Sequence, residues 1–390
     1  MTYAGKPVSA CREQPAQSLE GNPVALFTDH PARPPARSTR AVGAGWVALG
    51  IALVLGLILA VTPSPYVIEK PGPVFNTIGT AEQDGEQVPL ISVSGEPVFP
   101  TEGSLDLLTV SLVGNPANRP SWLTVAAAWL DPNQAVIPID SAFPPDVSTK
   151  QREEQTQAQM VNSQQDAIAA ALTNLDYDYP TILSVVSLPE DSPAEGIMEA
   201  GDQVVSVNGD EVTDITALRD ALSRNGVDAP AAIGILRDGT AQTVEVTPVA
   251  AGDAVVVGIN VTSEYEFPFD VTIQLDAVGG PSAGMMFALG IIDTLTPGFL
   301  QGGADVAGTG TINQAGQVGP IGGIRQKLIG ADQNGSDWFL APADNCDEVT
   351  GHVPDGMTVF SVDTLDDALA ALDAIRTGSD TDGLEQCPLR

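Results

Sequence analysis

The feature that most limits how this chain can fold is the run Ala41–Val61, in which no charged side chain occurs. As a helix it would span about 32 Å, against roughly 30 Å for the hydrocarbon core of a bilayer. Arg33, Arg37 and Arg40 stand just before it with no acidic residue among them. The positive-inside rule then places the N-terminus in the cytoplasm and everything after residue 61 outside. The expectation is a single-pass protein of the cell membrane, with the lipid bilayer contacted through that one helix and Trp46 near its interface. A cleaved leader is the competing reading. It would be unusually long, and no A-x-A site follows the apolar run.

Charge sharpens the division. The 390 residues carry 50 acidic and 16 basic side chains, a formal charge of -34. Residues 1–40 hold Lys6, Arg12, Arg33, Arg37 and Arg40 against Glu13, Glu20 and Asp29, so the acid excess lies in the rest. That balance excludes nucleic acid as a partner, because a phosphate backbone requires Lys and Arg. It equally argues against broad docking on anionic lipid, and fits a well-solvated surface. Cysteines occur at 11, 346 and 387. Outside the membrane Cys346 and Cys387 would meet an oxidising space; a disulfide and two free thiols are both open. There is no C-x-x-C and there are only two histidines, so neither a metal site nor a cofactor is expected.

Residues 1–40 are rich in Pro, Ala, Ser and Gly and are expected to be disordered. Residues 62–176 read as a β-rich region with one helix. That helix is expected over Gln151–Leu175, where Met160, Val161, Ala167, Ile168, Ala171, Leu172 and Leu175 recur at helical spacing. Residues 177–250 form a compact pattern. The strand TILSVVSL is followed by SPAEGIMEAGDQVVSVNGDEV, the helix TALRDAL, and a hairpin around Asp238-Gly239. This order resembles a bacterial PDZ domain. Such domains bind peptide C-termini by strand addition. The equivalent loop, near Tyr179-Pro180-Thr181-Ile182-Leu183, lacks the usual glycine, and Pro180 removes a donor, which argues against carboxylate capture. Residues 255–376 alternate strands and helices, and 377–390 form a tail. The fold class is α+β.

The chemistry centres on Gly279-Gly280-Pro281-Ser282-Ala283-Gly284. The glycines and proline force a bend, and Ser282 falls at a helix N-terminus, where free N–H groups gather. The amides around Gly280, Ser282 and Ala283 could hold an oxyanion. An ordinary N-cap serine is the alternative. A nucleophilic serine needs a base, and beyond position 150 the chain offers one lysine, Lys327, and one histidine, His352. Arginine stays protonated and cannot serve. In GIRQKLIGAD, helical spacing puts Ile324, Lys327, Leu328 and Ala331 on one apolar face, with Arg325, Gln326 and Asp332 elsewhere. Desolvation there would lower the amine pKa. A lysine whose tip reaches solvent is the competing reading. His352, in a loop-like context, is the rival base, and His30 would lie across the membrane.

Taken together, GGPSAGMMFALGIID and GTGTINQAGQVGPIGGIRQKLIGA resemble the proteolytic domain of Lon-type proteases. The resemblance implies a Ser-Lys dyad, with Ser282 as nucleophile, Lys327 as general base and Thr309 orienting the lysine amine. Many Lon proteases have Asp where this chain has Gly279; the glycine form and the IEKPGP segment resemble the membrane-anchored, PDZ-containing branch. The resemblance also permits a hexameric ring. No G-x-x-x-x-G-K-[ST] loop occurs, so hydrolysis of protein or peptide substrates is expected to be independent of ATP. The alternative function is a non-catalytic PDZ scaffold, or a peptide-binding adaptor, with a degenerate Lon-like domain.

Overall fold

The computed structural model describes residues 39–389, apart from 84, 146–147, 190, 253, 276–277 and 380. The expected disordered tail lies almost wholly outside these residues, as do His30, Arg33 and Arg37. The chain divides into two units, residues 1–56 and 57–390. A helix does run Thr39–Val61, with side chains described from Gly45 onward. No helix among the described residues is long and apolar enough to cross a membrane, so the expected transmembrane span over 41–61 is not supported.

The second unit is built on a six-stranded mixed sheet. Its order is Thr358–Val362, Trp338–Pro342, Asp305–Gly308, Ser104–Val113, Tyr66–Asn76 and Ala135–Pro138. The first four strands run parallel, and the last two pair antiparallel. Strands from 62–176 therefore complete the same sheet as those from 255–376. The two stretches read as separate in sequence because sheet pairing is non-local.

Side chains alternate across the sheet with the period of two that a strand imposes. Leu105, Leu107, Val306, Leu340 and Phe360 face one side, where the helices Thr149–Asn174, Gly284–Leu295 and Leu365–Thr377 pack. Leu108, Ala307, Phe339, Ala341 and Val359 face the other, covered by the Ile324–Asn334 helix. Gly284–Leu295 is buried from Gly284 to Asp293, so it is apolar all round rather than striped. Thr149–Asn174 starts with a capping box between Ser148 and Gln151 and buries Met160, Ala167, Ile168, Ala171 and Leu172. Val161 shares their spacing but is 55% exposed. Cys346 and Cys387 form a disulfide. It holds the tail against the outer strand, where Cys387 N–H donates to the Val359 carbonyl.

Between the long helix and strand Asp270–Ile273 sits a second core. Its sheet runs Thr240–Val246, Ala231–Arg237, Gln203–Val207, Thr181–Ser187 and Asn260–Tyr265. The helix Ile215–Asn225, capped by Asp214, buries Leu218, Ala221 and Leu222 against it. The two tight turns take the left-handed backbone that Asn-Gly and Asp-Gly favour: φ is 56° at Asn208 and 89° at Gly209, 49° at Asp238 and 73° at Gly239.

Candidate active site

Ser282 sits half-buried where the Gly284–Leu295 helix begins. The turn before it needs glycine at 280, where φ is +91°. Distant contacts hold this turn. Gly280 N–H donates to the Thr156 carbonyl at 2.9 Å, and Ser163 Oγ donates to the Pro281 carbonyl at 3.0 Å. Gly310 N–H donates to the Ser282 carbonyl at 3.0 Å, while Met285 N–H donates to the Gly310 carbonyl at 3.1 Å. The serine is thereby pinned at the carboxyl end of strand Asp305–Gly308.

Lys327 reaches the same point from the Ile324–Asn334 helix, on the opposite face of the sheet. Its Nζ lies 2.8 Å from Ser282 Oγ and 2.7 Å from Thr309 Oγ1. Lys327 is 2% exposed and Thr309 1%. Burial pushes the Lys327 pKa down to about 7, because the ammonium loses its hydration and no carboxylate compensates. Thr309 Oγ1 donates its one proton to the Ser282 carbonyl at 2.9 Å. Its lone pairs therefore face the lysine. A neutral amine has two N–H bonds and one lone pair. With one N–H spent on Thr309, the lone pair is left to accept the Ser282 hydroxyl proton.

The structure thus brings Ser282, Lys327 and Thr309 together. Of the backbone groups expected to serve an oxyanion, Gly280 is already committed to Thr156. The N–H groups of Ser282 and Ala283 make no hydrogen bond to a described residue. His352 is exposed and lines a separate depression with Pro132, Arg325 and Pro354. Gln326, placed off the apolar face by helical spacing, is also buried, at 5% exposure. Among the described residues no group of three or more His, Cys, Asp or Glu could hold a metal ion.

Ser282 and Lys327 open into a cavity of about 680 Å3. One wall is strand Ser104–Val113 from Leu107 to Leu112, and another is the turn from Val278 to Ala283. Glu69 and Arg152 also line it. Burial raises the Glu69 pKa above the usual carboxylate range. Sequence reasoning missed Glu69, Thr156 and Ser163, since nothing local ties them to residue 282.

Residues 274–374 match the model of the Lon protease (S16) C-terminal proteolytic domain, and residues 158–247 that of the PDZ domain. Lon protease 1 of Sorangium cellulosum is 39% identical over 94 residues, covering 23% of this chain and 11% of that protein. Lon protease 2 of Herpetosiphon aurantiacus is 41% identical over 93 residues, with the same shares. The chain thus spans about a tenth of the length of these relatives. Among solved structures, the PDZ domain of an SdrC-like protein from Listeria innocua aligns at 22% identity and a TM-score of 0.20, covering 20% of this chain and 92% of that one. The PDZ match begins inside the Thr149–Asn174 helix, whose buried side belongs to the larger core. The chain therefore carries a Lon-protease C-terminal proteolytic domain and a PDZ domain.

Proposed function

We propose that this protein is a serine endopeptidase that hydrolyses protein or peptide substrates without ATP, through a dyad of Ser282 and Lys327. The observation that carries the reading is a buried lysine, with its pKa near 7, placed 2.8 Å from a serine hydroxyl at a helix N-terminus. Neutral Lys327 takes the hydroxyl proton as Ser282 Oγ attacks the peptide carbonyl. The resulting oxyanion is held by the Ser282 and Ala283 N–H groups. Lysine then protonates the departing amine, leaving an ester on Ser282. Water, deprotonated by the same amine, clears that ester and regenerates the serine. Thr309 directs the amine toward Ser282.

The test is casein or fluorogenic-peptide hydrolysis by the full chain in detergent. Ser282→Ala and Lys327→Arg should each abolish turnover, the latter because arginine cannot release its proton. Equal activity in all three chains would sink the reading.

Location and assembly are separate parts of the proposal. The uncharged run Ala41–Val61 and the three arginines before it support attachment to the cell membrane, with the bulk of the chain outside the cytoplasm. Release of the intact chain from membranes by alkaline carbonate would refute that attachment. A homo-oligomeric ring rests on the Lon resemblance alone and would be read from the mass of the detergent-purified protein.

A further inference from the structure

The Ser282 cavity is lined by two charged side chains, Glu69 and Arg152, that the proposed hydrolysis leaves unused. Strand Ser104–Val113 is paired on one side by Tyr66–Asn76, from Asp106 to Val113. On the other side Asp305–Gly308 pairs only from Ser104 to Leu107. From Leu108 onward that second edge has no partner among the described strands, and it forms a wall of the cavity. The reactive groups stand where this open edge begins: Gly308 pairs with Leu107, and the next residue, Thr309, meets Lys327 Nζ. Beyond that point the two faces of the strand carry opposite charges. Glu69 stands opposite Leu112, and Pro71 opposite Val110. A Cβ at Gly323 would lie 2.8 Å from Val110 Cγ2, and one at Gly330 3.7 Å from Pro71 Cβ. By the alternation of a strand, Glu69 therefore belongs to the face that the Ile324–Asn334 helix covers. Arg152 comes from the Thr149–Asn174 helix on the other face. It lies one turn before Thr156, whose carbonyl holds Gly280, and two turns before Met160, another lining residue.

We propose that Glu69 and Arg152 select the substrate by charge, Glu69 receiving a basic side chain and Arg152 an acidic one, an assignment that rests on a peptide occupying the Ser282 cavity. Among the described residues neither charge has an ion-pair partner, and the two do not pair with each other. The half-buried Glu69 carboxylate pays for its lost hydration with no cation beside it, and a docked lysine or arginine would offset that cost. The Arg152 guanidinium is held 4.5 Å above the Phe143 ring, and its donors remain free for a carboxylate. An extended peptide beside Leu108–Leu112 sends successive side chains to opposite faces. Its basic and acidic residues therefore fall an odd number of positions apart. Leu112, level with Glu69, lies about 17 Å along the strand from Leu107. The basic residue thus stands roughly four to five positions from the attacked carbonyl.

The test measures binding to the full chain carrying Ser282→Ala, so that no peptide is consumed. The probe is a fluorescein-labelled dodecapeptide library, each pool fixed as Lys, Glu or Gln at one position, read by fluorescence polarisation. At one position the Lys pool should bind about tenfold tighter than the Gln pool, and at another, an odd number of residues away, the Glu pool should. Adding Glu69→Gln should erase only the first preference, and adding Arg152→Gln only the second. Glu69→Lys should turn the first into a preference for Glu, a gain that misfolding cannot produce. Equal binding of the Lys, Glu and Gln pools at every position would overturn the proposal, as would binding of no pool at all. Preferences that survive both glutamine substitutions would overturn it too. Hydrolysis is not read, so charge selection can hold even where the Ser282–Lys327 dyad proves inactive.

Discussion

The proposed chemistry turns on the protonation state of one amine. Lys327 titrates near 7 in the fold and near 10.5 in the unfolded chain. Because only the neutral form accepts the serine proton, turnover should be low in acid and rise with an apparent pKa of about 7. Stability carries the same signature. Between about 7 and 10.5 the unfolded chain binds the extra proton, so stability rises with pH across that window and is lost as pH falls toward 7. The full swing is on the order of 5 kcal/mol. Lys327→Met lacks the titration, so its stability advantage over the unaltered chain should shrink from pH 7 to pH 10 in urea unfolding. A gap that stays constant would mean the amine is charged in the fold. Thr309 offers a second check. Thr309→Val removes the hydroxyl that takes one lysine N–H, and kcat should fall by roughly 10- to 100-fold, while Thr309→Ser keeps most of it. Lys327 stood out in sequence because lysine is so scarce beyond residue 150, and Ser282 because of its glycine-proline turn, whereas Thr309 came only from the resemblance to Lon-type proteases. The Thr156 and Ser163 contacts were not legible, because a hydrogen bond between residues 163 and 281 leaves no local pattern.

Elements were legible wherever spacing and caps agreed. The Ile215–Asn225 and Leu365–Thr377 helices begin at Asp214 and Thr364, whose side chains accept the first free N–H groups. Where a helix is buried on all sides, spacing loses its meaning, as in Gly284–Leu295. What that helix needs is a close approach. Gly290 faces Thr77 and Ile91, and a Cβ there would lie 2.7 Å from Thr77 Oγ1 and 2.8 Å from Ile91 Cδ1. Thr77 cannot simply turn away, since its hydroxyl donates to the Leu105 carbonyl at 2.9 Å in a buried site. Gly290→Ala should therefore destabilise the fold by about 1–3 kcal/mol through overpacking, although alanine is the better helix former. A midpoint in urea at or above that of the unaltered chain would show that the contact gives way.

At the scale of the whole molecule, sequence order and spatial order diverge. The six-stranded sheet draws strands from both sides of the PDZ core, and the two cores share no buried residue. The PDZ domain is an insertion whose entry and exit lie side by side: Thr181 pairs with Tyr265, and the Tyr179 and Phe267 rings are 5.3 Å apart. Hydrogen bonds tie this neck to the larger core, three of them from Thr181, Tyr265 and Tyr179. Gln314 Nε2 donates to Thr181 Oγ1, Tyr265 OH to Asp166, and Tyr179 OH to the Ala169 carbonyl. Replacing Leu183–Ser263 with an Asn-Gly turn keeps all three and closes the neck as a short hairpin. The shortened chain should retain its near-ultraviolet dichroism and unfold in one cooperative step. A fragment starting at residue 255 is the contrasting case. It loses Ser104–Val113, the strand between Asp305–Gly308 and Tyr66–Asn76, and with it one wall of the Ser282 cavity. That fragment should show no cooperative transition, because half of its sheet is gone. If instead the excised chain melts without cooperativity while the fragment folds, the larger core is not the interleaved unit that the strand order describes.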